Sequence, residues 1–193
     1  MKRIAMFAVL LGLGIPATAQ AQSFELIAQL GVSLGSYSGD NIESSTQVGA
    51  DGGVKVRFGS AFYVDGGIFW GARGGELNDG TNVDDFAYSG VRIPMGVGVR
   101  LIRADAFDIR AFAAASLDLP SSVSDNGLDL VDEDVSSSIW SGRVGAGIDF
   151  LIIGIDAGYE FGLSDVFADT APAELAGVKR NAWFLEAGLR FGF

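Results

Sequence analysis

Apolar side chains alternate with polar or small ones in eight separate stretches of the chain. The stretches span residues 24–34, 48–58, 62–70, 87–101, 107–117, 140–150, 153–163 and 181–193. Alternation with a period of two is typical of a β-strand that has one apolar face. Most stretches are about ten residues long, which is the length that a tilted strand needs to cross a membrane. The pattern therefore predicts an all-β protein.

The connections between these stretches alternate between short and long. The short ones are residues 59–61, 103–105 and 151–152, and the long ones, rich in Gly, Ser, Asn and Asp, are 35–45, 74–85, 120–136 and 164–179. Short turns at one end and long loops at the other are typical of a transmembrane β-barrel. We therefore expect an eight-stranded antiparallel up-and-down barrel, although Leu151 and Ile152 are poor turn residues.

Charged residues predict which face of the strands is turned inward. The non-apolar phase carries nine acids (Glu25, Asp51, Asp65, Asp108, Asp118, Asp149, Asp156, Glu160, Glu186) and eight bases (Lys55, Arg57, Arg73, Arg92, Arg100, Arg110, Arg143, Arg190). A soluble barrel would instead place its apolar face inside. Because buried charges are costly unless they are paired, the near equality favours a charged lumen network and an apolar face against outer-membrane lipid.

The long connections hold most of the remaining acids, with Lys179 and Arg180 as their cations. Asp129, Asp132 and Asp134 are oxygen ligands of the kind that Ca²⁺ takes. Their spacing differs from that of an EF-hand loop, so solvated acid is favoured over a metal site. A surface this acidic is a poor match for nucleic acid.

The N-terminal segment MKRIAMFAVLLGLGIPATAQAQ has the features of a secretory signal peptide. Lys2 and Arg3 precede an apolar run, and Ala19-Gln20-Ala21 supplies a cleavage site. The run is too short to cross a bilayer of roughly 30 Å as a helix, which argues against a membrane anchor. We expect residues 1–21 to be removed and residues 22–193 to form the barrel domain in the bacterial outer membrane.

Composition narrows the chemistry that the barrel can perform. The chain contains no Cys and no His. Disulfides therefore cannot stabilise it, and the commonest general base and metal ligand is missing. We expect a protein that is not an enzyme and that uses no cofactor.

The C-terminal stretch resembles the assembly signal of bacterial outer-membrane barrels, which the barrel insertion machinery reads. The matching residues are Leu185, Ala187, Leu189, Phe191 and Phe193. The whole mature chain resembles small outer-membrane barrels of the OmpA/OmpX architecture. Within YSGVRIPMGVGVRL (88–101), Tyr88, Ile93 and Pro94 resemble the outer-membrane β-barrel domain family that includes PorT-type proteins. The resemblance implies the same fold and location, and Pro94 calls for a bulge or lumen water.

Two functions remain open at this level. An interior bounded by eight strands is just wide enough for side chains to fill, which favours a closed scaffold for structural, adhesive or partner-binding roles, its extracellular or envelope partner unknown. The alternative is a narrow, porin-like channel for small, preferentially cationic solutes. In either case we expect Trp70, Trp140 and Trp183 near the lipid interfaces.

Overall fold

The computed structural model describes residues 24–39, 42–78, 83–104, 106–126, 134–168, 170–171 and 175–192. The strands are β1 (Phe24–Gly39), β2 (two segments, Ile42–Ser45 and Gln47–Gly59), β3 (Phe62–Asn78), β4 (Val83–Arg103), β5 (Phe107–Asn126), β6 (Ile139–Phe150), β7 (Ile153–Gly162) and β8 (Lys179–Gly192). Both segments of β2 pair with β1 and β3, so they form one strand interrupted at Thr46. No helix in the described ranges is long and apolar enough to span a membrane.

The eight antiparallel strands close into a barrel, as predicted. β1 pairs with β8 from Glu25↔Gly192 to Ser38↔Lys179. Following cross-strand partners around the sheet from Glu25 leads back to β1 at Gly35, ten residues further along. Such a stagger tilts the strands by roughly 35–45° from the barrel axis. Closure satisfies the backbone of the first and last strands, so neither of them is a sheet edge.

The two faces of the barrel are sharply different. Leu30 and Phe62 point outward and are 73% and 74% exposed, whereas Arg57 points inward and is 1% exposed. Exposed Phe side chains surround the short-turn end, at positions 24, 58, 62, 107, 150 and 191. Trp70, Trp140 and Trp183 lie eight to ten residues along the strands from this ring. With the strand tilt, that spacing corresponds to about 20–25 Å, close to the height of an outer-membrane apolar band.

Three of the predicted long loops are wrong over much of their length. β1 continues to Gly39 and β2 begins at Ile42, and likewise β3 reaches Asn78 before β4 starts at Val83. β5 extends to Asn126, well into the predicted 120–136 connection. The ladder continues beyond the apolar band because cross-strand pairing needs backbone groups only, whereas the alternation of side chains stops at the membrane surface.

The turn between β6 and β7 does use Leu151 and Ile152. Phe150 pairs with Ile153 across it, and Leu151 adopts φ 52°. Pro94 is accommodated differently from the predicted bulge. Pairing between β3 and β4 keeps one register and omits Ile93 and Pro94, while the irregularities of β4 lie against β5 at Ser89/Gly90 and Arg100/Ile102. The missing N–H of Pro94 thus breaks the ladder without shifting it.

Two neighbouring glycines of β3 provide a test of these faces. A Cβ on inward Gly67 would lie 2.6 Å from the Val54 carbonyl oxygen, whereas one on outward Gly66 would meet nothing closer than 3.6 Å. Gly67→Val should destabilise the barrel by about 1–3 kcal/mol through overpacking, and Gly66→Val should be tolerated. Urea unfolding in lipid vesicles measures both. Equal stability of the two variants would contradict the assigned faces.

Candidate functional site

The inward-facing charges form two clusters, and each contains as many acids as bases. The turn-side cluster consists of Glu25, Asp65, Asp108, Asp149 and Asp156 with Lys55, Arg57, Arg100, Arg110 and Arg190. The mouth-side cluster consists of Asp51, Asp118, Glu160 and Glu186 with Arg73, Arg92, Arg143 and Arg180. Among these ion pairs none joins one cluster to the other. All twelve residues predicted to form the network therefore lie in one of two neutral groups.

Glu25 and Asp149 are the centres of the turn-side cluster. The Glu25 carboxylate contacts Arg190 at 2.7 Å, Arg57 at 3.3 Å and also Arg100. Asp149 contacts Arg190 at 3.1 Å and Arg57 at 3.4 Å, so the two carboxylates share two guanidinium groups. Sharing of this kind offsets the desolvation of each charge with more than one opposite partner.

Asp156 extends this cluster toward the middle of the barrel. It pairs with Arg110 and lies 3.4 Å from Lys55 Nζ. Arg110 also donates from Nε to Asp149 at 3.1 Å. Four strands, β2, β5, β6 and β7, are thereby connected in the lumen by side chains alone.

Glu160 and Glu186 are the centres of the mouth-side cluster. Glu160 accepts from Arg180 at 2.9 Å and pairs with Arg143 at 3.3 Å and Arg92 at 3.5 Å. Glu186 contacts Arg143 and lies 3.2 Å from Arg92. The Arg143 guanidinium also stacks on the Phe184 ring at 3.9 Å. An aromatic face therefore assists the carboxylates in balancing a buried cation.

Gln29 connects the two clusters. Its Nε2 donates to Asp156 at 3.2 Å and to Glu186 at 3.1 Å, and the side chain is buried. Because the Gln29 amide is uncharged, it joins the two clusters by hydrogen bonds and leaves the net charge of each cluster at zero. Sequence patterning did not single out Gln29, since an uncharged residue in the polar phase carries no distinctive signal.

Arg180 lies in the lumen, whereas the sequence predicts a place in a long connection. It was expected in a long connection, but it lies in β8, is 5% exposed, and binds Glu160 and Ser33. The reason is that β8 begins at Lys179, before its apolar alternation becomes recognisable. Counting back in steps of two from Glu186 would have assigned Arg180 to the lumen. Its inclusion raises the eight predicted bases to nine, equal to the nine acids.

A small hydrophobic core lies at the long-connection end of the lumen, next to the mouth-side cluster. Tyr37, Phe86 and Tyr88 project from β1 and β4, and they are covered by a segment after β5 and another after β7. This mouth cap comprises Tyr37, Phe86, Tyr88, Val135, Ile139, Val166, Phe167, Leu175 and Val178. The Phe86 ring lies 4.9 Å from Tyr37 and 5.3 Å from Phe167.

Backbone hydrogen bonds hold the covering segments together. Val135 and Phe167 form an antiparallel bridge, Ser136 donates to the Val166 carbonyl at 2.9 Å, and Val166 donates to Val178 at 2.9 Å. The described part of the predicted 164–179 loop is thus a packed lid. Its apolar residues are too scattered along the chain for periodicity to reveal it.

The remaining predicted site residues are placed as follows. Leu185, Ala187, Leu189 and Phe191 point outward on β8, while Phe193 lies outside the described residues. Asp129, Asp132 and residues 1–21 are also outside them. The Asp134 carbonyl accepts a hydrogen bond from Ala168. The described part of the chain contains no group of three or more acids suited to a metal ion.

Within residues 24–193, the net charge lies at one end of the barrel by sequence position. Nine of the 24 acids are lumenal, and by sequence position 14 of the others belong to the long-connection end, leaving Asp105 at the short turns. Nine of the 13 bases are lumenal, Lys2 and Arg3 precede β1, and the other two are Arg103 and Lys179. Within residues 24–193, the long-connection end therefore carries 14 acids against Lys179, while the lumen and the short turns each hold equal numbers of acids and bases.

Comparisons with known proteins give one family match and several similar structures. The family described as "Outer membrane protein beta-barrel domain" matches residues 5–191. Ail of Yersinia pestis, solved with the heparin analogue sucrose octasulfate, is 19% identical over 87% of this chain and 99% of its own, with a TM-score of 0.44. LpxR from Salmonella typhimurium is 11% identical over 90% of this chain and 100% of its own, with a TM-score of 0.34. No curated protein sequence matches.

Removing a lumenal base should leave its carboxylates buried and uncompensated. Arg92 and Arg110 are each 2% exposed. We expect Arg92→Ala and Arg110→Ala to lower the free energy of unfolding by about 3–5 kcal/mol, or less where water reaches the freed acids. Arg103→Ala, at the exposed end of β4, is the matched control and should change stability by no more than about 0.5 kcal/mol. Urea titration in lipid vesicles tests this, and variants as stable as the control would show that the pairs are not needed.

Proposed function

Because the chain belongs to the outer membrane protein beta-barrel domain family, we propose that it is a non-conducting, non-enzymatic scaffold of the bacterial outer membrane. The observation that carries this proposal is that buried ion pairs and a hydrophobic core follow one another along the lumen. The paired charges fill the middle of the barrel, and the mouth cap covers one end. An ion on this route would have to separate buried ion pairs and then displace a hydrophobic core.

The same arrangement argues against catalysis in the lumen. A carboxylate serves as a general acid or base when it reaches substrate and can exchange a proton. Asp149, Asp156 and Glu160 are each held by two or more cationic groups and are at most 4% exposed. Bound and enclosed in this way, they support a structural role.

The charge distribution suggests what the scaffold presents. We place the long-connection end outside the cell and the short turns in the periplasm, following the usual asymmetry of such barrels. The external surface is then strongly acidic, with 14 acids against Lys179. A surface of one sign attracts oppositely charged partners over about a Debye length, so cationic partners are favoured.

Conductance measurements in planar bilayers test this function. We expect no steady conductance from the parent protein, and none from Phe86→Ser, because the charge clusters still fill the lumen after the cap is loosened. If the lumen were instead a channel constricted by its cap, the parent would conduct and Phe86→Ser would conduct more. Open, cation-selective channels in the parent would replace the scaffold by a pore.

Assembly should depend on the end of β8. We propose that the signal peptide is removed and that the insertion machinery reads the C-terminal alternation ending at Phe193. Phe193→Asp should then lower the amount of folded protein in outer-membrane fractions far more than a loss of contact area explains, whereas Phe193→Trp should be tolerated. Normal folded levels of Phe193→Asp, judged by heat-modifiable migration on gels, would exclude this role.

A further inference from the structure

The turn between β6 and β7 exposes two large aliphatic side chains. Leu151 and Ile152 are 67% and 58% exposed, and Leu151 has a left-handed φ of 52°. A left-handed conformation is strained for a residue with a Cβ, and Gly would avoid that strain. Leu151 is thus strained at a turn position where Gly or Asn is the usual residue.

Two further exposed aliphatic residues lie at the same end of the barrel. The irregularity between Arg100 and Ile102 leaves consecutive Leu101 and Ile102 exposed, at 63% and 48%. We call Leu101, Ile102, Leu151 and Ile152 the turn patch. The corresponding turn between β2 and β3 contains Ser60 and Ala61, which have small side chains and are half-buried, whereas the residues of the turn patch are large and exposed. The apolar surface therefore reaches further on the β4–β7 side of the barrel than on the other.

The turn patch is continuous with the lipid-facing band. Ile102 pairs with Ile109, Ile109 with Ile148, and Ile148 with Ile155, which forms an unbroken row of outward isoleucines across β4, β5, β6 and β7. A site for a protein partner is typically set apart by a polar rim. This patch has no such rim on the side of the band, so lipid is the occupant that its surroundings favour.

The backbone of the turn also satisfies the requirement of a lipid environment. The Leu151 N–H donates to the Ala106 carbonyl at 3.1 Å, and the Ile152 carbonyl accepts from the Arg190 N–H at 2.7 Å. Backbone groups in lipid have no water to bind, so they must be satisfied within the protein. Both hydrogen bonds reach outside the turn to the adjacent strand β8 and to the preceding turn.

We propose that the turn patch is inserted into the leaflet at the short-turn end, at the boundary between acyl chains and headgroups. The barrel is then seated asymmetrically, with its β4–β7 side deeper in the bilayer than the turn between β2 and β3. Burial of the large aliphatic side chains in an apolar phase removes their surface from water, and this stabilisation offsets the strain of the turn.

Site-directed spin labelling can measure the depth of this patch, since the chain contains no native Cys. Leu151→Cys and Ile152→Cys would be labelled in separate variants and reconstituted in phospholipid vesicles, with Ser60→Cys as the matched control in the opposite turn. Folding of each variant is checked by heat-modifiable migration on gels. Collision rates with oxygen, which concentrates in lipid, and with a water-soluble nickel chelate report depth.

We expect the ratio of oxygen to nickel collisions at positions 151 and 152 to exceed that at position 60 several-fold. Equal ratios, with all three labels accessible to nickel, would overturn the lipid assignment and make a protein partner the occupant. Hydroxyl-radical footprinting of the parent protein in vesicles gives an independent reading if a variant does not fold. Leu151 and Ile152 should then be strongly protected, and oxidation at the level of the urea-unfolded chain would equally overturn the proposal.

Discussion

A charge enclosed by eight strands has little water to solvate it, so its partner must come from the protein itself. Every strand except β1 and β7 contributes at least one cation, whereas β7 contributes Asp156 and Glu160, and β1 contributes Glu25 and the bridging Gln29. Because partners sit on different strands, the pairs form only when the barrel closes in one register. A shift by one residue would turn each charge toward lipid, where it is far more costly. Charge pairing therefore specifies the fold as well as filling it, and the choice of Arg fits this role, since a guanidinium offers several donors to several carboxylates at once.

The requirement for balance explains why the lumen divides into two neutral clusters. An unequal cluster would leave a buried charge without compensation, whereas equal numbers allow each group to be satisfied locally. Gln29 then adds two hydrogen bonds between the clusters without altering either balance. The mouth cap uses a different interaction, apolar burial around Phe86, and it begins where the charges end. The ion-pair clusters and the hydrophobic core are thus stacked along the barrel axis. The acidic connections lie beyond them, at the end of the barrel.

Much of this architecture was predictable from periodicity, because a strand with one face in lipid and one in a charged lumen alternates strictly. The number of strands, their order and the short turns, including Leu151–Ile152, followed from that alternation. What failed lay beyond the membrane. There both faces of a strand meet water or loop residues, so the side chains no longer alternate between apolar and polar. Gly39 and Asn78 were therefore predicted to lie in loops, although both belong to strands. Arg180 was missed because β8 begins at Lys179, before its apolar alternation can be recognised. The mouth cap was invisible because its members come from distant segments, and only tertiary contact makes them a core.

Segregation of charge follows from these constraints. The lumen must be neutral because it is enclosed, and the lipid-facing surface must be uncharged because it is apolar. The turns at one end are short and contain only Arg103 and Asp105. The net charge of residues 24–193 therefore lies, by sequence position, in the long connections. Acids outnumber bases in these connections. The net charge, which is small when averaged over 193 residues, therefore produces a concentrated negative field at one end of the barrel. A charged group near the long connections therefore experiences this local field and not the average over the chain.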